Sequence, residues 1–234
     1  MGQRKALSIR QKLIITFVVI LLVPSLIIAG TTYLTASNRI EHELMSSAQE
    51  SVDTADTVVT NNIGNMISDL DYFAEQLGTE SVDAELASGG SSVKERLEQY
   101  LVLHKDVLNL YVGTSKGGTL LGVDQELPPD FDPRTRDWYV LALKTPNAVV
   151  SPVYLSVDGS PVVSISKVLK DGQGVVALDL DLSGISKMTE MKVGEEGYIL
   201  ILDNAKKRVV NPAGGVGEEA KESYVASMFA GDGG

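Results

Sequence analysis

The residues best suited to chemistry lie in one stretch, FDPRTRDWYVLAL, from Phe131 to Leu143. Arg136 and Trp138, the chain's single tryptophan, alternate there, and Tyr139 opens a short apolar helix, WYVLAL. A guanidinium grips a carboxylate through two parallel hydrogen bonds. An indole N–H adds a donor, and aromatic faces attract an ammonium ion. A buried ammonium also needs an anion, because an unpaired charge is too costly to desolvate. The strand-like ALDLDL supplies Asp179 and Asp181, which share one face at a period of two. These types fit a pocket for a small zwitterion. A packed turn leading into a short helix fits the same spacing, and the residues alone leave both open.

Other motifs carry less. GTSKG, Gly113 to Gly117, matches the G-x-S-x-G pattern of a nucleophile elbow, which needs a strand before it and a helix after it. The strand-like GTLLGV follows instead, so Ser115 reads as a hairpin residue. PPDFDP offers Asp130 and Asp132, without the regular oxygen spacing of a calcium loop, and reads as a turn. His42 and His104 are the only histidines and there is no cysteine, which argues against a zinc site, a histidine-based triad and a disulfide framework. No cofactor, metal or enzymatic activity is expected.

Charge and hydropathy define the surroundings. The net charge is −11; Arg4, Lys5, Arg10 and Lys12 account for four of the 20 basic residues, so the other 16 face all 31 acids. Such a surface repels nucleic acid. The run from Leu13 to Leu34 has 22 residues and no charge, enough to span a hydrocarbon core of roughly 30 Å. The cationic flank before it predicts a cytoplasmic N-terminus, with the rest of the chain outside. A cleaved signal peptide would have a shorter apolar core. An uncleaved membrane anchor is therefore expected, with Pro24 in mid-span.

The elements that must position the chemical groups follow from periodicity. Ile40, Leu44, Ala48, Val52, Ala55, Val59, Ile63, Met66, Leu70, Phe73 and Leu77 recur at spacings of three and four, predicting one long helix over 36–78. Such a rod can pack on its own domain and pair with a second copy. GTESVDAELASGGSS, 78–92, reads as a break, and SVKERLEQYLVLH as a second helix. The period then changes to two, predicting strands over 106–114, 119–123, 148–156, 161–169 and 174–182, several joined by tight turns. The fold class is therefore α+β, an antiparallel sheet with helices on one side. GYILILD, RVVNP and the helical GEEAKESYVASMF look like the start of a second unit, which reads as cut short within a truncated chain or gene fragment.

At these residues a family resemblance emerges. DPRTRDWY, SPVYLSVDGSPVVSISKVL and GVVALDLDL resemble the double-Cache sensor domain of bacterial methyl-accepting chemotaxis proteins. The similarity runs from about residue 5 to 213 and is closest to receptors of Gram-positive bacilli. It implies a basic cytoplasmic tail at 1–12, a transmembrane helix at 13–34 and a long extracytoplasmic helix at 35–78. A PAS-like, membrane-distal Cache module would occupy 79–190, and a partial membrane-proximal module 191–234. The amino-acid-binding members share a spaced set that falls here on Phe131, Arg136, Trp138, Tyr139, Tyr154 and Asp179. The resemblance implies that Arg136 and Trp138 take the ligand carboxylate, while Tyr139, Tyr154 and Asp179 hold its ammonium. It also implies a homodimer through the long helix and an extracytoplasmic sensor in the cell membrane. Cytoplasmic signalling partners would be reached only through a C-terminal part beyond this chain. One departure touches side-chain preference: a PYVD-like segment of the family reads VYLS here. Related sensors feed histidine kinases or diguanylate cyclases and bind organic acids, amines or purines, so output and ligand stay open at this point.

Overall fold

In the computed structural model, residues 9–182 and 198–230 are described. The chain divides into two units, Met1–Glu50 and Ser51–Gly234. The first contains the N-terminal part of helix α1 (Ile9–Gln76), where residues 13–34 are exposed. This helix is long and apolar enough to cross a membrane. Two polar side chains in the apolar run bond to the helix's own backbone. Ser25 donates to the Leu21 carbonyl at 2.8 Å and Thr31 to that of Ile27 at 3.0 Å, as suits surroundings without water.

The second unit holds the sheet. Its strands are β1 (Val107–Thr114), β2 (Thr119–Leu121), β3 (Val149–Val150), β4 (Tyr154–Leu155), β5 (Pro161–Val168) and β6 (Gly174–Leu180). They run in the order β2-β1-β6-β5-β3, with β4 also on β5, and every pairing is antiparallel. Alternation sorts the side chains. Val176, Leu178 and Leu180 of β6 and Val163 and Ile165 of β5 meet one face. There they pack on Met66, Leu70 and Phe73 of α1, on Leu77 just after it, on α2 (Thr79–Ser88) and on α3 (Ser92–Leu103). Leu70, Leu97, Leu110, Ile165 and Leu178 are wholly buried, each contributing about 1.5–3 kcal/mol. The other face is shorter of apolar matter. Val175 and Ala177 pack there under a 3-10 turn (Pro133–Thr135) and α4 (Asp137–Ala142), beside Asn109, Ser164, Ser166 and Asp179.

Three expectations change. The break at 78–92 is mostly helix α2, whose first N–H, that of Thr79, donates to Asp171 Oδ2 at 2.6 Å. That cap comes from a loop 92 residues away, so local sequence carries no sign of it. Gly89 ends the helix at a φ of 71°, a left-handed conformation that glycine adopts freely. The strand over 148–156 splits into β3 and β4 around Pro152. Proline has no N–H to donate to the sheet, and the next N–H, that of Val153, turns to Asp203 Oδ2 at 3.0 Å. Finally, the helix expected over 217–229 begins only at Ser223 (α5, Ser223–Ala230). Gly217 has a φ of 84°, and the Ala220 N–H donates to Lys206.

The long helix departs in degree. Its stripe is buried at Ala55, Met66, Leu70 and Phe73, and at Leu77 just past its end, while Ile40, Leu44 and Val52 are exposed. Beyond the sheet, β7 (Ile201–Leu202) and β8 (Arg208–Val210) form a hairpin. The Lys207 ammonium donates to the Val153 carbonyl at 3.0 Å, so this hairpin grips the corner between β3 and β4 from both sides. The expected boundary between modules at 190/191 lies outside the described residues, as does most of the basic tail at 1–12.

Candidate functional site

The two arginines of DPRTRDWY have different fates. Asp132 precedes Pro133, and its carboxylate accepts from the Arg134 N–H at 2.9 Å, the start of the 3-10 turn. Arg134 then folds back on Asp132, with Nη2 at 2.7 Å from Oδ2, and it also donates to the Ser115 carbonyl. This contact holds the Asp132 carboxyl below its ordinary pKa. Asp132 is thus a cap and an ion-pair partner. Arg136 leaves the turn in an extended conformation and points elsewhere. Its guanidinium carbon lies 5.6 Å from the Phe131 ring centre and 6.0 Å from that of Tyr154. Among the described residues no carboxylate reaches it within salt-bridge distance.

Trp138 is held from three sides. Its ring meets Tyr111 edge-on at 5.0 Å and Tyr139 at 5.5 Å, and its backbone carbonyl accepts from Ser166 Oγ at 2.8 Å. Below it, Gly113 leaves no room: an added Cβ would stand 2.7 Å from the Trp138 ring and 2.8 Å from Pro133. Gly113→Ala is therefore expected to destabilise the domain by about 1–3 kcal/mol and to tilt the indole. Thermal unfolding of the full chain and a ligand titration would register both; an unchanged melting temperature would mean the ring is not seated there.

Asp179 stands at the centre. It is buried on β6, opposite Asn109 of β1 and Ser164 of β5. Tyr111 donates to Oδ1 at 2.7 Å, and Ser164 donates to the same oxygen. Since the serine proton goes to the carboxylate, the Tyr154 hydroxyl, 2.6 Å from Ser164 Oγ, donates to the serine. Oδ2 receives no hydrogen bond among the described residues. Burial pushes the Asp179 carboxyl above its ordinary pKa, and the three hydroxyls oppose this only in part. Burial, then the carboxylate, pushes Tyr154 up to about 12 and Tyr111 well above its usual value. Among the described residues no cation pairs with Asp179.

Phe131, Arg136, Trp138, Tyr154 and Asp179 all line one cleft of about 360 Å³, open solvent included. Tyr139 does not line it. On α4 it turns into the apolar cluster with Tyr111, Ala142 and Val175, because a helix cannot aim adjacent residues at one spot. Asp181 lies past the end of β6, where its N–H donates to the Asp106 carbonyl. Tyr111 and Ser164 complete the carboxylate's cage and were not anticipated. The alternate serines of VVSISKV, 162–168, were a legible sign of a polar face in an apolar strand. Ser115 occupies the turn between β1 and β2, where its hydroxyl donates to Gln173 at 3.3 Å.

An α+β sheet that carries an arginine and a caged carboxylate in one open cleft has the outline of a small-molecule-binding domain. The chain belongs to the Cache domain family, whose model matches residues 35–225. It is 35% identical over 230 residues to the methyl-accepting chemotaxis protein McpB of Bacillus subtilis, covering 97% of this chain and 34% of that protein. To McpA of the same organism it is 32% identical over 231 residues, again 97% of this chain and 34% of the relative. The chain thus spans about a third of the length of these receptors. Among solved structures it is similar to the ligand-binding domain of the Pseudomonas fluorescens chemoreceptor CtaA in complex with L-isoleucine. The TM-score is 0.63 at 25% identity, covering 82% of this chain and 78% of that one. The CtaA complex with L-leucine gives a TM-score of 0.62 at 26% identity, over 81% and 79%.

Proposed function

We propose that this chain is the extracytoplasmic, ligand-sensing part of a transmembrane chemoreceptor and that its cleft binds an α-amino acid. The observation that carries the reading is electrostatic. One guanidinium and one buried carboxylate, neither neutralised by the other or by another described charge, open onto the same cleft. A molecule with a carboxylate and an ammonium on one carbon satisfies both at once. Arg136 and the Trp138 indole take the carboxylate. Asp179 Oδ2 takes the ammonium, with Tyr154 and Phe131 as aromatic walls. Tyr139 acts one step back, by bracing Trp138. The amino acids bound to the CtaA domain support this class of ligand.

The rest of the assignment follows the family. The apolar part of α1 anchors the chain in the cell membrane with the basic tail inside, a distal module fills 79–190, and a proximal module begins near 191. The exposed Ile40, Leu44 and Val52 suit pairing with a second copy. Signalling passes to cytoplasmic partners through the remainder of the receptor. The test is calorimetry on the full chain in detergent micelles with L-alanine, propionate and ethylamine. L-Alanine is expected to bind, and either half-molecule to bind at least about a hundredfold more weakly, since propionate leaves the buried Asp179 unmatched and ethylamine leaves Arg136 without its carboxylate. Propionate binding as tightly as L-alanine would remove the ammonium role of Asp179 and sink the zwitterion reading.

A further inference from the structure

Tyr154 lines the cleft, yet the strand that carries it is slight. β4 is two residues long and lies along β5, with Tyr154 opposite Val162 and Leu155 opposite Pro161, which has no N–H to give. Leu155 itself is exposed. So short a strand does not fix the direction of a side chain by its own ladder.

The hold comes from the residue before it. Val153 is buried, and both its backbone groups are taken by charged side chains of the β7–β8 hairpin, 50 and 54 residues further on. Its N–H donates to Asp203 Oδ2 and its carbonyl accepts from the Lys207 ammonium, each at 3.0 Å. Charge-assisted bonds of this kind are roughly twice as strong as neutral ones. Asp203 is itself fixed, since its Oδ1 accepts from the Ala205 and Lys207 N–H groups, both at 2.8 Å. The hairpin region is closely seated: a Cβ on Gly217 would stand 3.2 Å from Pro161, and Val209 packs against the core.

Covalent geometry carries this hold to the cleft. A peptide unit is planar, so the Val153 carbonyl and the Tyr154 nitrogen lie in one plane. Lys207 fixes the plane from which the Tyr154 Cα departs, and Asp203 fixes the plane before it. Beyond that Cα the Tyr154 ring faces Arg136, 6.0 Å from its guanidinium carbon, and its hydroxyl meets Ser164 Oγ at 2.6 Å. Neither Asp203 nor Lys207 lines the cleft.

Building on the zwitterion reading, we propose that Asp203 and Lys207 are positioning residues for the cleft. They aim Tyr154 through the backbone of Val153, so amino-acid affinity is set in part by a hairpin outside the main sheet. A binding group is only as well placed as the residues that support it.

Two experiments on the full chain in detergent micelles test this. The first is calorimetry with L-alanine, with thermal unfolding alongside. Asp203→Asn keeps an oxygen for the turn but presents an NH2 group to the Val153 N–H, and Lys207→Met keeps the stem but removes the donor. Each is expected to weaken binding at least about tenfold, and Lys207→Arg, which can still donate, to stay within about threefold of wild type. Arg208→Met is the control. Arg208 lies on the same hairpin but pairs with Glu222 and Glu218, so its loss should lower the melting temperature and leave affinity within about threefold. The second experiment needs no ligand: a double-mutant cycle of Tyr154→Phe with Lys207→Met, read by thermal unfolding. Removing the Tyr154 hydroxyl should lower the melting temperature less when Lys207 is already gone, because the ring has then lost its aim. If L-alanine does not bind the wild type, the zwitterion reading fails and the cycle alone decides whether Lys207 positions Tyr154. If L-alanine binds but affinity merely follows melting temperature, with Arg208→Met losing as much as Lys207→Met, or if the two substitutions in the cycle add, the positioning role is overturned while the zwitterion reading stands.

Discussion

Arg136→Ala is expected to lower the affinity for an α-amino acid by at least about a hundredfold, because it leaves a ligand carboxylate in the cleft without its partner. Removing one member of a largely desolvated ion pair costs about 3–5 kcal/mol, and every 1.4 kcal/mol is tenfold. The neighbouring arginine is an internal control. Arg134 is turned away onto Asp132 and the Ser115 carbonyl, so Arg134→Ala should move affinity by no more than about threefold while loosening the 3-10 turn. Arg136→Lys keeps the charge but loses the planar fork, and should fall between wild type and Arg136→Ala. Calorimetry of the three variants gives the order. Equal losses for Arg134→Ala and Arg136→Ala would mean that the turn, rather than the guanidinium of Arg136, supports binding. An Arg136→Ala protein with undiminished affinity would take that residue out of the site.

The pattern of residues made some of this legible and could not reach the rest. Arg136, Trp138 and Asp179 stood out because an arginine, a lone tryptophan and acids in an apolar strand are types with few structural uses together. Periodicity assigned their elements: the two-residue alternation of GVVALDL puts Asp179 on the face opposite Val176 and Leu178, and the structure has it there. What local pattern cannot carry is long-range pairing. Asp171 caps α2 from 92 residues away, and Asp203 takes the Val153 N–H across 50. Each turns a segment that reads as loop or continuous strand into something else. The bulge at Leu108 is of the same kind. DVLNLYVGT alternates without a visible break, yet the register across β6 slips within it and sends Asn109 to the cleft. Tyr139 marks the converse limit: its place in RDWY follows the family pattern, but the turn of α4 carries it behind Trp138 instead of beside it.

Asp179→Asn should raise the stability of the empty protein and, at the same time, reduce amino-acid affinity by about a hundredfold or more. The two effects have one cause. Burial lifts the Asp179 carboxyl above its unfolded pKa, so its contribution to stability is fully present below the unfolded value and is lost as pH rises through the folded one. At neutral pH the ionised group is therefore held at a cost, which Tyr111, Ser164 and Tyr154 only partly offset. Asparagine keeps an oxygen for those hydroxyls and removes the charge. Its melting temperature should exceed that of wild type at neutral pH, and the difference should shrink as pH falls and the wild-type carboxyl takes up its proton. Binding runs the other way. A ligand ammonium needs the carboxylate, so wild-type affinity should be flat above the raised pKa of the empty site and decline as pH falls through it, each bound ligand then displacing a proton. In Asp179→Asn the weak residual affinity should show no such decline. Thermal unfolding and calorimetry across the acidic-to-neutral range separate the alternatives. A variant that is less stable and binds equally weakly would make Asp179 a structural strut for the hydroxyl cage. A variant that is more stable and no longer binds makes it a charge kept in the core of the sheet for the ligand alone, the kind of stability loss expected where function sets the residue.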